Sequence, residues 1–124
     1  MDPQFTDREL DIMNVLWEFG GATATEVQGQ LDDTLAYNTV LTMLRILEEK
    51  GHVRHEEQGR AFRYIPRVAR KTAKASAVKR LVHKLFEGKA QLLATELVAN
   101  RSLTDDDLRE LRALLDERLS KGEK

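Results

Sequence analysis

The sequence predicts a mainly α protein, with a winged helix-turn-helix domain over residues 6–66 followed by an α-helical dimerisation arm over residues 67–124. Three observations carry this reading. Two capping patterns and three runs of apolar residues at helical spacing fall within the first fifty residues. The apolar period then changes to two on either side of a glycine-containing turn. Beyond Pro66 the helical period returns and holds almost to the C-terminus.

Thr6-Asp7-Arg8-Glu9 opens the first helix, since the Thr6 hydroxyl can accept the Glu9 amide while Glu9 reaches back. Leu10, Met13, Leu16 and Trp17 form its apolar stripe, and Gly20-Gly21 ends it. Thr23-Ala24-Thr25-Glu26 repeats the pattern and opens a short helix with Val27 and Leu31 inward. A third helix runs from about Ala36 to Lys50, closed by Gly51 as a left-handed cap. Residues 53–56 and 61–65 then alternate as strands around Glu57-Gln58-Gly59-Arg60, the signature of a hairpin. Pro66 ends the second strand because it cannot donate to a ladder. Helix, helix, helix and hairpin in this order make a winged helix-turn-helix.

The remainder reads as three helices. Val78, Leu81, Val82, Leu85 and Phe86 form a wide apolar face that Gly88 interrupts. Leu92, Leu93, Leu97 and Val98 mark a shorter helix. Thr104 caps the last one, with Asp105, Asp106 and Asp107 well placed against its N-terminal dipole. Leu108, Leu111, Leu115 and Leu119 line one side of it. Three short helices bury little by themselves. Leu81 and Leu85, Leu93 and Leu97, and Leu108, Leu111 and Leu115 are therefore expected to complete a core with a second copy, making a homodimer.

Composition bounds the function. In 124 residues there are 20 Lys+Arg, 21 Asp+Glu and no cysteine, giving a formal net charge of −1. No disulfide, thiolate metal site or cysteine nucleophile is available. No apolar run is long enough for membrane insertion or a signal-peptide core, so a cytoplasmic protein is expected. A charge near zero counts against nucleic-acid binding until it is divided by position. Residues 1–66 hold 6 basic and 12 acidic side chains, net −6; residues 67–124 hold 14 and 9, net +5. Within the second part, residues 67–89 contain eight basic residues and a single acid, Glu87. That basic stretch is read first as a solvated helix face.

The third helix separates into two faces when its residues are turned by about 100° each. Val40, Met43, Leu44 and Leu47 fall together and belong to the core. Asn38, Thr42, Arg45 and Glu49 fall opposite, with Thr39 and Ile46 on one flank. The outward residues near the N-terminal end are short, uncharged and hydrogen-bonding, followed by one arginine. Such side chains suit base edges in a major groove: Asn toward adenine, Thr through hydroxyl or methyl, Arg toward guanine or phosphate. Asn38, Thr39, Thr42 and Arg45 are thus the candidate DNA readers. Arg60 at the hairpin turn and Arg63 on its second strand are placed for phosphates. Phe62 and Tyr64 alternate along that strand and are expected to pack inward.

These residues carry a family pattern. Thr6-Asp7-Arg8-Glu9-Leu10-Asp11-Ile12-Met13, Ala36-Tyr37-Asn38-Thr39-Val40-Leu41-Thr42-Met43-Leu44, Glu48-Glu49-Lys50-Gly51 and Gly59-Arg60-Ala61-Phe62-Arg63-Tyr64-Ile65-Pro66 together resemble the penicillinase-repressor (BlaI/MecI/CopY) family of transcriptional regulators. The Phe86-Glu87-Gly88 break and the Leu103-Thr104 start of the last helix fit it as well. The resemblance implies a homodimeric winged-helix repressor on a palindromic operator, controlling β-lactam or other stress and resistance genes. It also implies release by proteolysis or loss of dimerisation, with a membrane sensor metalloprotease as a further partner. Alignment on Gly88 and Leu103-Thr104 puts the candidate cleavage bond near Glu96-Leu97, where the best-known relatives carry Asn-Phe. The cysteine-rich copper motif of one branch has no counterpart here.

Other classes find little support. His52 and His55 are the one close histidine pair, and odd spacing along a strand would put them on opposite faces. No carboxylate spacing completes a metal site around them or around His83. Phosphate-binding glycine loops, nucleophile elbows and zincin motifs are absent, so no enzyme, catalytic residue, metal or cofactor is expected. Two alternatives stay open: a winged-helix module for protein–protein contact, which the acidic head favours, and a regulator that senses a small ligand directly.

Overall fold

The computed structural model describes residues 3–31 and 34–122. Helix α1 spans Asp7–Phe19 and begins at a complete capping box. The Glu9 amide donates to Thr6 Oγ1 at 3.1 Å and the Thr6 amide donates to Glu9 Oε1 at 2.8 Å. Gly20 ends the helix at φ 72°, in the left-handed region where glycine carries no Cβ penalty. Strand β1 is only Ala22–Thr23, and helix α2 follows directly over Ala24–Gln30. A second box starts α2, with the Glu26 amide on Thr23 Oγ1 at 3.2 Å and the Thr23 amide on Glu26 Oε1 at 2.9 Å. Helix α3 covers Tyr37–Glu49.

Strands β2, Val53–Gln58, and β3, Ala61–Pro66, form the hairpin. They pair antiparallel from Val53 opposite Pro66 to Gln58 opposite Ala61, leaving Gly59-Arg60 as a two-residue turn. Gly59 sits at φ 62°, as a primed turn with glycine at its first central position requires. Strand β1 adds to the other edge of β3, with Ala22 opposite Tyr64, so the sheet order is β1-β3-β2. This short strand has no alternating pattern, because its two residues also serve as the cap of α2, and sequence periodicity does not reveal it.

The three helices and the sheet close one core. Ile12, Met13 and Leu16 of α1, Val27 of α2, and Val40, Leu44 and Leu47 of α3 are all fully buried. Val53 and Tyr64 complete it from the sheet. The apolar stripe of α3 thus faces α1, α2 and the sheet, and its polar side is left outward.

Helix α4 spans Arg70–Leu85, α5 spans Ala90–Ala99 and α6 spans Asp105–Gly122. The chain divides into two compact units, residues 1–78 and 79–124. The boundary expected after residue 66 coincides with the end of β3, whereas the first unit continues to Val78. The reason is a set of contacts that sequence periodicity does not register. Trp17 Nε1 donates to the Val68 carbonyl at 2.7 Å, and the Arg70 guanidinium lies 5.5 Å from the Trp17 ring centroid. Ala73 and Ser76 are buried, with Ser76 Oγ donating to the Pro3 carbonyl at 3.1 Å.

In the second unit, α4 ends on Glu87 and Gly88, both at positive φ (54° and 76°). The Gly88 amide returns to the Val82 carbonyl at 3.0 Å, which closes the helix end. Thr104 caps α6 in a box completed by Asp107, each backbone amide donating to the other side chain at 3.0 Å. The leucines of α6 remain largely open within one chain: Leu108 is 37% exposed and Leu115 62%.

Candidate nucleic-acid interface

Helix α3 presents the expected outward face. Asn38, Thr39, Thr42 and Arg45 are all exposed, while Val40, Leu44 and Leu47 turn inward. Ala36 at the N-cap makes no side-chain hydrogen bond to the first amides of α3. The C-terminal end of the helix is anchored instead. Lys50 Nζ donates to Glu9 Oε2 at 2.8 Å, tying the base of α3 to the start of α1.

The Glu9 carboxylate is nearly buried and accepts from both Lys50 and the Thr6 amide. Burial pushes this carboxyl up, but the Lys50 hydrogen bond and then the Thr6 amide outweigh it and hold it below its ordinary value. His52 lies beside this pair, its ring 4.6 Å from that of Phe5. Burial holds its imidazole below the ordinary histidine range, and Lys50 adds to the effect against the opposing pull of Glu9.

Between α3 and the hairpin lies a depression of about 200 Å³ lined by Tyr37, Leu41, Arg45, Arg60, Phe62 and Tyr64, with residues 23–25 at its edge. Arg45 and Arg60 therefore share one site. Arg63 does not join them. Its guanidinium lies on the other face of the sheet and donates to the Gly20 carbonyl at 3.2 Å. A Cβ built on Gly21, itself at φ 128°, would come within 3.0 Å of that guanidinium. Arg63 thus fastens β3 to the end of α1 and lines a separate depression of about 480 Å³ that also holds Glu26. The alternation of strand side chains explains the separation: Arg63 is one residue from Phe62 and Tyr64 and must face the opposite way.

Phe62 departs from its expected inward packing. Tyr64 is buried, but Phe62 is 45% exposed because β3 carries it past the end of the core toward the turn. It stacks on His55 with ring centroids 4.3 Å apart, and His55 Nδ1 lies 2.6 Å from Glu48 Oε2 on α3. The wing is thereby linked to the outward helix. The two histidines are separated by a simpler cause than strand alternation, since His52 precedes β2 and only His55 belongs to it. Burial, and after it Glu48, pushes the Tyr64 phenol up.

The residues expected at a dimer contact divide among three helices. Leu81 and Leu85 lie on α4, Leu93 and Leu97 on α5, and Leu108, Leu111 and Leu115 on α6. All but the half-buried Leu93 are exposed within the chain, Leu85 to 72%. Glu96 and Leu97 sit in the last turn of α5, where the Glu96 carbonyl accepts the Asn100 amide at 3.0 Å. Among the described residues there is no group of three or more His, Asp or Glu side chains that could hold a metal ion. Among them, too, no helix is long and apolar enough to cross a membrane.

Comparison with known proteins gives consistent relatives. The family model described as "Penicillinase repressor" matches residues 5–117. The penicillinase repressor of Bacillus licheniformis is 27% identical over 117 residues, which are 93% of this chain and 91% of the relative. The methicillin resistance regulatory protein MecI of Staphylococcus aureus is 23% identical over 93% of this chain and 95% of its own. Among solved structures, the monomeric form of Bacillus licheniformis BlaI in complex with the blaP half-operator is 34% identical, with a TM-score of 0.50. That match covers 58% of this chain and 90% of the BlaI chain.

Proposed function

The chain belongs to the penicillinase-repressor family, and from that membership we propose that it is a homodimeric transcriptional repressor acting by occlusion of a palindromic operator. The observation that carries the proposal is the outward face of α3. Asn38, Thr39 and Thr42 stand exposed beside Arg45 and Arg60, neither of which makes an ion pair among the described residues. A helix face kept for solvent alone usually carries complementary charges. This one carries short donors and acceptors of the kind that read base edges. The BlaI structure with a half-operator supports the same use of the matching domain here.

In this reading two heads place their α3 helices in successive major grooves about one helical turn apart, roughly 10 bp. The apolar faces of α4, α5 and α6 join the two copies through the leucines that one chain leaves open. Loss of the arm then abolishes repression, because each head holds its half-site alone once the second binding event ceases to be intramolecular. A cut near Glu96-Leu97 would remove α6 and have that effect, the release route we propose for a sensor protease. By analogy with relatives named for penicillinase and methicillin resistance, the regulated genes are resistance or stress genes.

A chain ending at Val78 tests the coupling, since residues 1–78 form a compact unit. Its binding to the promoter region of the protein's own gene, measured by fluorescence anisotropy, should be about 100-fold or more weaker than that of the full chain. Equal affinity would overturn the dimer reading.

A further inference from the structure

We infer that the depression between α3 and the hairpin is a cradle for one sugar-phosphate unit of the DNA backbone, and that Arg45 holds phosphate there instead of reading a base. The inference rests on the proposal that the head binds duplex DNA, and it divides the α3 face into two rows with different tasks. Tyr37, Leu41 and Arg45 follow each other at four-residue steps and so form one line along the helix, about 12 Å long. All three line the depression. Asn38 and Thr42 form the neighbouring row, and neither lines it.

Charge distinguishes this depression from the two larger ones described. The cavity of about 480 Å³ contains Glu26 beside Arg63, and one of about 440 Å³ contains Asp11 and Glu18 beside Arg8. Among the described residues, the cradle's lining has two guanidinium groups and no carboxylate. Glu48, the acid one turn beyond Arg45, is turned toward His55. An anion therefore meets two cations, plus the Tyr37 and Thr25 hydroxyls as hydrogen-bond donors of the type that bind phosphate oxygens. Phe62 gives the same depression an exposed apolar wall, which suits the carbon face of a deoxyribose. Both arginines come from different elements, α3 and the turn of the hairpin, so the cradle exists only when helix and wing are correctly placed. The Glu48–His55–Phe62 linkage supplies that placement.

The test uses the full-length chain, a duplex selected by this protein from a random-sequence library, and a scrambled duplex of equal composition. Arg45→Ala, Arg60→Ala and Tyr37→Phe are each measured by anisotropy across a salt series. A phosphate contact predicts that each arginine variant lowers the log-affinity against log-salt slope by about 1. Both duplexes should then weaken by the same factor, roughly tenfold. Tyr37→Phe should weaken both by a smaller common factor, about threefold, as loss of one hydrogen bond predicts. Unchanged melting temperatures would show that the exposed substitutions leave the fold intact. Should Arg45→Ala instead change base preference at one operator position with an unaltered slope, the cradle is wrong while DNA binding stands. If the unmodified protein binds neither duplex, the DNA-binding proposal fails and the cradle falls with it.

Discussion

Replacing Glu9 by Gln tests how the base of the outward helix is held. The carboxylate is 5% exposed and uses one oxygen for the Thr6 amide and the other for Lys50, each at 2.8 Å. Glutamine can still accept from Thr6, but its amide group would confront the Lys50 ammonium with a second donor. A hydrogen bond between charged groups contributes about 1.5–3 kcal/mol. Lys50 is 43% exposed, so solvent screening puts the loss at the lower end, about 1.5 kcal/mol. In a compact unit of 78 residues that corresponds to roughly 6–12 °C in melting temperature. Differential scanning calorimetry at fixed protein concentration measures it. The pH dependence is the sharper readout. Since the folded carboxyl is held below its ordinary value of 4.5, its contribution is complete above that value and is lost as pH falls through the folded one. The gap between the unmodified protein and Glu9→Gln should therefore close on acidification. A gap that is absent near pH 7, or that does not narrow on acidification below the ordinary carboxyl value, would refute the account of Glu9 as an ionised anchor.

Two further expectations concern other parts of the head. Gly21→Ala meets both a positive φ and the Arg63 guanidinium, and should destabilise the fold by about 1–3 kcal/mol in urea denaturation. The Tyr64 carbonyl also lies 3.1 Å from that Cβ and cannot swing aside as a side chain can, so an unchanged urea midpoint would refute the strain at Gly21. Thr42→Ala leaves the core and the cradle untouched, so it should reduce discrimination at one operator position by about 1 kcal/mol without changing the salt slope. A uniform loss over all sequences would remove Thr42 from the reading row.

Much of the head is legible in the sequence because its signals are local. Thr6 and Glu9, and Thr23 and Glu26, declare helix starts within four residues, and both boxes form. The inward set Val40, Leu44 and Leu47 follows from helical period alone. What the sequence conceals depends on contacts between distant segments. Arg63 is a basic residue on a wing strand, and only the return of the chain past Gly20 shows what it binds. Phe62 and Tyr64 have the same parity, yet the core ends between them, so one is buried and the other open. The grouping of Arg45 with Arg60 likewise joins residues fifteen positions apart, across a helix end and a hairpin.

Trp17 gives the chain an optical consequence. It is the molecule's one tryptophan; its indole N–H meets the Val68 carbonyl, its ring face meets Arg70, and its ring stands perpendicular to that of Phe5. These contacts lie where the wing's last strand has ended and α4 begins. The emission of an indole shifts with hydration and with the charge on its face, so the tryptophan emission comes entirely from this junction. Undocking of the first turns of α4 would change its colour and its accessibility to quenchers, with no label added.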